Sequence, residues 1–279
     1  MPDRFAEDEV RRALEEDAAR RDCTTALLGD IGSTAAEGRF LAEAPAIVAG
    51  GPVVREVFLQ LDPTVQFEQH VIEGERAESG AVIATVRGPS RALLAGERVA
   101  LNFLQRLSGI ATATRRAVDA VAGTGAIITD TRKTTPGLRA LEKYAVRMGG
   151  GENHRQSLAD AVLWKDNHWV LLGRTGRSLT EVLRSVPAGM PVTVEVENED
   201  QLEAALAAGV KRILVDNQPP EQIAAWAHRV APAVIEASGG ITPETAVAYA
   251  RAGARYISVG ALTHSATAAA IRLDLGIAP

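Results

Sequence analysis

From residue 126 onward the chain repeats one unit, a short apolar run closed by a polar residue and followed by an amphipathic segment, and few folds accept that pattern. The apolar runs are AIITDTRK, AVLWKD, PVTVEVEN, RILVDN, AVIEASGG and YISVGA, all of strand length. Between them lie EDQLEAALAAG, PEQIAAWAHRV and TPETAVAYARAG, helical in period, with Pro near the start of two and Gly at the stop of two. Strand and helix in alternation require parallel pairing with helical crossovers. Six units fall short of the eight of a closed (β/α)₈ barrel. The expectation is therefore an α/β protein with an incomplete (β/α) barrel, and a doubly wound sheet is the alternative.

Upstream the pattern changes. GRFLAEAPAIVAGG and VQFEQHVIEGERAESGAVIATVRG are glycine-punctuated and β-rich around a helix-like run at residues 51–61, so a separate N-terminal α+β sandwich domain is expected over 1–112. A long helical stretch, SRALLAGERVALNFLQRLSGIATATRRAVDAVAGTG, leads into the repeats and holds the boundary. The barrel domain is expected over 113–265, with the tail 266–279 packing back on the first domain. EGERAESGAVIATVRG is similar to the hairpins of lipoyl and biotinyl carriers, but these need a lysine at an exposed tip and residues 71–86 contain none. A β-scaffold is the reading that stands.

A chain of 279 residues with 46% hydrophobic content can bury a sizeable core. The single Cys23 excludes an intramolecular disulfide and a thiolate-rich zinc site, and fits a reducing compartment. The first segment, MPDRFAEDEVRRALEEDAARRD, has no apolar signal core, and no later run is long and apolar enough to span a bilayer, so no membrane partner and a cytoplasmic location are expected. A net charge of −5 argues against nucleic-acid binding, which needs a broad cationic surface.

In parallel β/α folds ligands bind beyond the C-terminal strand ends. Those ends carry Arg132 and Lys133, Lys165 with Asp166, Glu195 and Glu197, Asp216, Ser238-Gly239-Gly240, and Gly260-Ala261. Charged groups closing apolar strands are costly to bury without partners, and their recurrence marks a functional rim. Residues 130–166 hold seven Lys or Arg against five acids, a local +2 in a chain of −5. Lys143 and Arg147, four residues apart, read as a solvated helix face. Arg132, Lys133, Arg155 and Lys165 have no such explanation and suit a small polyanion bearing both carboxylate and phosphate. EASGGIT and SVGALTHS, in the last two units, read as a phosphate site built on backbone N–H groups. Glu195 and Asp216 then face a phosphate cluster, which makes sense with Mg²⁺ between them; an ion pair to Lys165 is the alternative. His154, in GGGENHRQS, reads as ligand-facing. No G-x-S-x-G, H-E-x-x-H or P-loop motif occurs, and Cys23 lies far from the rim in sequence.

Taken together, DTRKTTPGLRALEKYAVRMGGGENHR, LWKDNH, VEVEN, LVDN, EASGGIT and SVGALTHS resemble the nicotinate-nucleotide pyrophosphorylase (quinolinate phosphoribosyltransferase) family. RDCTTALLGD is similar to its early D-x-T-T segment, with Cys23 in place of the usual aliphatic residue, and LNFLQRLSGIAT to the helix between its domains. The resemblance implies synthesis of nicotinate mononucleotide, CO₂ and pyrophosphate from quinolinate and phosphoribosyl pyrophosphate with Mg²⁺. It places Arg132, His154, Arg155 and Lys165 around the quinolinate carboxylates, joined by Arg106 from the neighbouring subunit of a homodimer with shared active sites. Lys133 and Lys165 are implied at the pyrophosphate, and Glu195 and Asp216 at its magnesium and the ribose hydroxyls. Ser238, Gly239, Gly240, Gly260 and Ala261 are implied at the 5′-phosphate. The competing readings are a molybdenum-transport-associated homologue of the same fold, a Schiff-base aldolase using Lys133 or Lys165, and a non-catalytic phosphate-ligand binder.

Overall fold

The computed structural model describes residues 6–277. The chain divides into two compact units: residues up to Arg115 with Thr135–Gly150 and the chain from Ser265 onward form one, and Arg116–Thr134 with Gly151–His264 form the other. Residues 135–150, which lie within the span expected for the barrel domain, pack in the first compact unit. The reason is visible in the helix Arg139–Met148, which buries Leu141, Tyr144 and Ala145 and whose Tyr144 hydroxyl donates to Glu73 at 2.6 Å. Burial and the Glu73 charge push that phenol far above the ordinary tyrosine value, so it remains a donor. Lys143 is also fully buried in this helix, contrary to the expected solvated face, whereas Arg147 is exposed.

The strands of the first unit are β1 (Ala35–Ala42), β2 (Ala46–Ile47), β3 (Gln66–Gln69), β4 (Arg76–Ala77), β5 (Val82–Pro89) and, near the chain end, β12 (Ile271–Ile277). Four form an antiparallel sheet in the order β12-β1-β5-β3, and β2 pairs with β4. Alternation along AAEGRFLA sends Ala36, Gly38, Phe40 and Ala42 inward. Phe40 meets Phe58 of the helix Gly51–Leu61, with ring centroids 6.2 Å apart. Glu73 holds the start of that helix, accepting the N–H of Gly50 and of Gly51 at 2.8 Å each. The long helix expected from residue 90 runs Ser90–Ala120.

The second unit contains β6 (Ile127–Thr129), β7 (Val162–Trp164), β8 (Val192–Val196), β9 (Arg212–Asp216), β10 (Val234–Ser238) and β11 (Ala254–Ser258). They form one parallel sheet in the order β6-β11-β10-β9-β8-β7. First strand beside last, with the others consecutive, is the order of a barrel opened between its first two strands; a doubly wound sheet reverses at an inner switch point instead. The incomplete (β/α) barrel is thus the fold. The opening next to β6 is bridged by backbone: Glu152 N–H donates to Ile128 O at 2.9 Å and Asp130 N–H to Glu152 O at 3.2 Å. Helices Glu199–Ala207, Pro220–Ala227 and Pro243–Arg251 form the later crossovers, each opened by Pro or by an Asn or Thr cap.

Because Phe40 and Phe58 are both fully buried in the first unit, Phe40→Ala should lower unfolding stability by about 3–5 kcal/mol. Denaturant titration followed by circular dichroism measures it.

Candidate active site

Alternation decides which strand residues face the barrel interior. Leu163 and Lys165 on β7 and just beyond it, Glu195 on β8, Leu214 and Asp216 on β9, Glu236 and Ser238 on β10 and Ser258 on β11 share a cavity of about 220 Å³. Thr131, Arg132 and Lys133 from the loop after β6, and His154 and Arg155 from the segment in the barrel opening, complete its wall. Eight of the expected site residues are therefore brought together: Arg132, Lys133, His154, Arg155, Lys165, Glu195, Asp216 and Ser238. Asp166 and Glu197, which also close strands, are exposed and do not line it.

The electrostatics are those of a cavity with cations crowded against each other. Burial and the neighbouring Arg132 hold the Arg155 guanidinium below the ordinary arginine value. Its Nη1 donates to Ala161 O at 3.0 Å, while its buried Nε meets no acceptor. Lys165 Nζ lies 2.8 Å from Glu195 Oε2. Burial alone would lower this ammonium, but the hydrogen bond and charge of Glu195, with Asp216 and Asp166, outweigh it and keep the lysine above its usual value and charged. Burial raises the Glu195 carboxyl, with the charges of Asp216 and Asp166 adding to the rise and Lys165 opposing it. The Glu195–Lys165 pair, the alternative to a metal, is present. Two such carboxylates on adjacent strand ends are hard oxygen donors of the kind Mg²⁺ uses when it draws its other ligands from water and substrate phosphate. Among the described residues no group of three or more His, Cys, Asp and Glu is placed to cage a metal by itself.

The glycine loops adjoin the cavity without lining it. Gly239 and Gly240 both have positive φ, 96° and 60°. A Cβ on Gly239 would lie 2.2 Å from Asn217 Oδ1 and 2.6 Å from its backbone N, so only glycine fits. Asn217 in turn donates its backbone N–H to Ser238 O at 2.9 Å and its Nδ2 to Asp216 Oδ2 at 2.8 Å, lacing the ends of β9 and β10 together. Gly260, followed by Ala261, lies against Lys133: a Cβ there would be 3.2 Å from the lysine Cδ, and Thr263 donates to Lys133 O at 2.8 Å. Arg106 is elsewhere. It belongs to the first unit, where Nη2 donates to Glu142 Oε1 at 2.8 Å and Nη1 to Ala266 O at 3.0 Å, beside a cavity of about 520 Å³ that Pro136 and Gly137 also line.

Sequence reasoning missed the layer beneath the rim. Asp130 is fully buried and accepts the backbone N–H of His154 at 2.9 Å and the side-chain amide of Asn153 at 2.6 Å. Glu236 is fully buried in the middle of β10, with Arg212 Nε at 2.6 Å. The available signal was position: Glu236 precedes Ser238 by two and so must share its face.

An open parallel barrel whose strand ends gather four cations and two carboxylates defines an enzyme domain of the class that handles small, multiply charged phosphate esters. The chain belongs to the quinolinate phosphoribosyl transferase family: residues 22–108 match the family's N-terminal domain and residues 110–274 its C-terminal domain. It is 44% identical over 262 residues to the probable nicotinate-nucleotide pyrophosphorylase [carboxylating] of Bacillus subtilis, covering 93% of this chain and 90% of that one. It is also 44% identical to the nicotinate-nucleotide pyrophosphorylase [carboxylating] of Mycobacterium leprae, covering 97% of each. Among solved structures, NadC from Streptococcus pyogenes superposes with a TM-score of 0.93 at 37% identity, over 100% of this chain and 99% of that one.

The Asp130 carboxylate ties the His154 backbone and the Asn153 amide to the end of β6, and hydrogen bonds to a charged acceptor contribute about 1.5–3 kcal/mol each. Asp130→Ala should therefore destabilise the protein by about 3 kcal/mol or more, and thermal unfolding followed by calorimetry measures the loss.

Proposed function

We propose that this chain transfers the phosphoribosyl group of phosphoribosyl pyrophosphate to quinolinate with loss of CO₂ and pyrophosphate, forming nicotinate mononucleotide for NAD biosynthesis. One observation carries the reading: Arg132, Lys133, Arg155 and Lys165 converge on a single cavity in a chain matched along nearly its whole length by the quinolinate phosphoribosyl transferase family. Quinolinate brings two carboxylates and the other substrate brings a phosphate and a pyrophosphate. A net-acidic protein binding both needs such a concentration of positive charge.

In this reading Arg132, Arg155 and Lys165, with His154 beside them, hold the quinolinate carboxylates and aim the ring nitrogen at the anomeric carbon. The nitrogen lone pair forms the N–C bond as the bond from that carbon to the pyrophosphate oxygen breaks, its electron pair leaving with the oxygen. Lys133 and Lys165 stabilise that departing charge. Glu195 and Asp216 would hold Mg²⁺ there, and the ion when bound supplies further neutralisation of the pyrophosphate. Ser238, Gly239, Gly240, Gly260 and Ala261 receive the 5′-phosphate, the glycines letting backbone N–H groups come close. The ring, now a pyridinium, accepts the electron pair of the bond to the 2-carboxylate as CO₂ leaves, and a proton takes its place. No protein nucleophile is required, and the Schiff-base role of Lys165 is disfavoured by an ammonium kept charged.

We further propose a homodimer in which Arg106, oriented by Glu142 in its own chain, completes the carboxylate site of the neighbouring subunit. The absence among the described residues of any helix long and apolar enough to cross a membrane, together with the single cysteine, supports placing the enzyme in the cytoplasm.

Pyridine-nucleotide formation from quinolinate, phosphoribosyl pyrophosphate and Mg²⁺, followed by chromatography, tests the reaction. Nicotinate, which lacks the 2-carboxylate, should be turned over very poorly, and comparable efficiency with both acids would sink the assignment. Lys133→Ala and Asp216→Ala should each lower turnover by orders of magnitude with an unchanged circular dichroism spectrum. Mixing Arg106→Ala with Lys133→Ala under subunit exchange should restore about a quarter of wild-type activity, because about half the dimers are mixed and each of those holds one intact site. Exchange proven by mass spectrometry without recovery would show that Arg106 does not act across the dimer.

A further inference from the structure

Beneath the rim, a row of polar side chains crosses the barrel interior where apolar packing would be the default. Glu236 on β10 is fully buried, and its carboxylate meets groups from three other segments. Arg212 Nε on β9 donates to Oε2 at 2.6 Å, the Ser258 hydroxyl on β11 donates to Oε1, and His154 Nε2 lies 3.5 Å from Oε1. The Ser258 hydroxyl is also 2.8 Å from that of Thr129 on β6, and the Arg212 guanidinium stacks 3.7 Å over the Tyr256 ring. Three adjacent strands are thus joined through one carboxylate, and the Ser258 hydroxyl extends the row to β6.

The imidazole of His154 is where this row reaches the cavity wall. Its Nδ1 accepts the backbone N–H of Arg155 at 2.8 Å, which places the proton of the neutral ring on Nε2, the atom facing Glu236. Asp130 holds the His154 backbone N–H. The ring is therefore fixed at both nitrogens and at its main chain, and the residue it fixes in turn, through Nδ1, is Arg155. A buried ion pair such as Arg212–Glu236 is a poor source of stability by itself, since an apolar pair of the same volume often does as well. Its position argues for a directional task. Burial opposes the Glu236 charge, yet His154, Arg212 and Ser258 together hold the carboxyl below its ordinary value, so the ring faces a full negative charge.

We propose that Glu236 is a positioning residue for the pyridine dicarboxylate: by accepting from His154 Nε2 it fixes the imidazole and, through it, the Arg155 main chain, setting one cationic wall of the site before the substrate arrives. This rests on the quinolinate reading above, and the test separates the two. Wild-type enzyme is assayed first. Failure to convert quinolinate would refute that reading before any variant is made.

With activity in hand, Glu236→Gln retains the volume and removes the charge. The KM for quinolinate should rise on the order of tenfold, the scale of one charge-assisted hydrogen bond, with kcat and the KM for phosphoribosyl pyrophosphate within about twofold. In a His154→Ala background the same substitution should add less than about threefold, because its route to the substrate is already gone. Equal effects in the two backgrounds, or parallel rises of both KM values, would overturn the proposal in favour of a purely structural Glu236. If Glu236→Gln does not fold, nitrogen NMR of the wild-type histidine rings decides, with His154 assigned by loss of its signals in His154→Ala. Nε2 protonated and Nδ1 unprotonated supports the proposal, and the opposite tautomer refutes it.

Discussion

The candidate site depends on how the barrel's opening is filled. β6 and β7 are not paired, and an open parallel edge leaves backbone donors and acceptors unsatisfied. The segment after Gly151 satisfies part of that edge by exchanging hydrogen bonds with Ile128 and Asp130, and the Asp130 carboxylate then secures Asn153 and His154. Arg155 follows directly. Two of the groups expected to meet quinolinate therefore stand where they do because a strand pair was omitted and irregular backbone took its place.

The same arrangement explains how a crowd of cations is tolerated. Burial, with the neighbouring Arg132 charge adding to it, lowers the proton affinity of Arg155. Lys165 avoids this by borrowing Glu195. The cavity thus has one side that carries Arg132 and Arg155 and another where Lys165 faces Glu195 and Asp216. Dianionic carboxylate suits the first, and phosphate accompanied by a divalent cation suits the second.

Much of this was legible in the sequence, because parallel β/α repeats place their ligands by rule: once the strands were found, Lys165, Glu195, Asp216 and Ser238 followed from where each strand ends. What stayed hidden has two causes. Glu236 and Arg212 lie inside strands, and an apolar run with one charged residue reads as core unless its face is worked out from the residue two positions on. The burial of Lys143 stayed hidden for a different reason. Helical spacing of charges signals a solvated face only when the surroundings are solvent, and here the helix Arg139–Met148 buries Glu142 and Lys143 as well as its apolar residues.

The chain passes between its two compact units four times, at residues 115–116, 134–135, 150–151 and 264–265. Neither unit can therefore be obtained by cutting the polypeptide once. A fragment beginning after Arg115 would carry the helix Arg139–Met148 without Glu73, the acceptor of its tyrosine, and would lose nothing of β6 to β11 yet gain a stretch of stranded interior. A fragment ending at Arg115 would lack β12, leaving β1 as a bare sheet edge. The two units are interleaved in chain order, so a nascent chain cannot complete the first sheet until β12 has been synthesised, after every strand of the second unit.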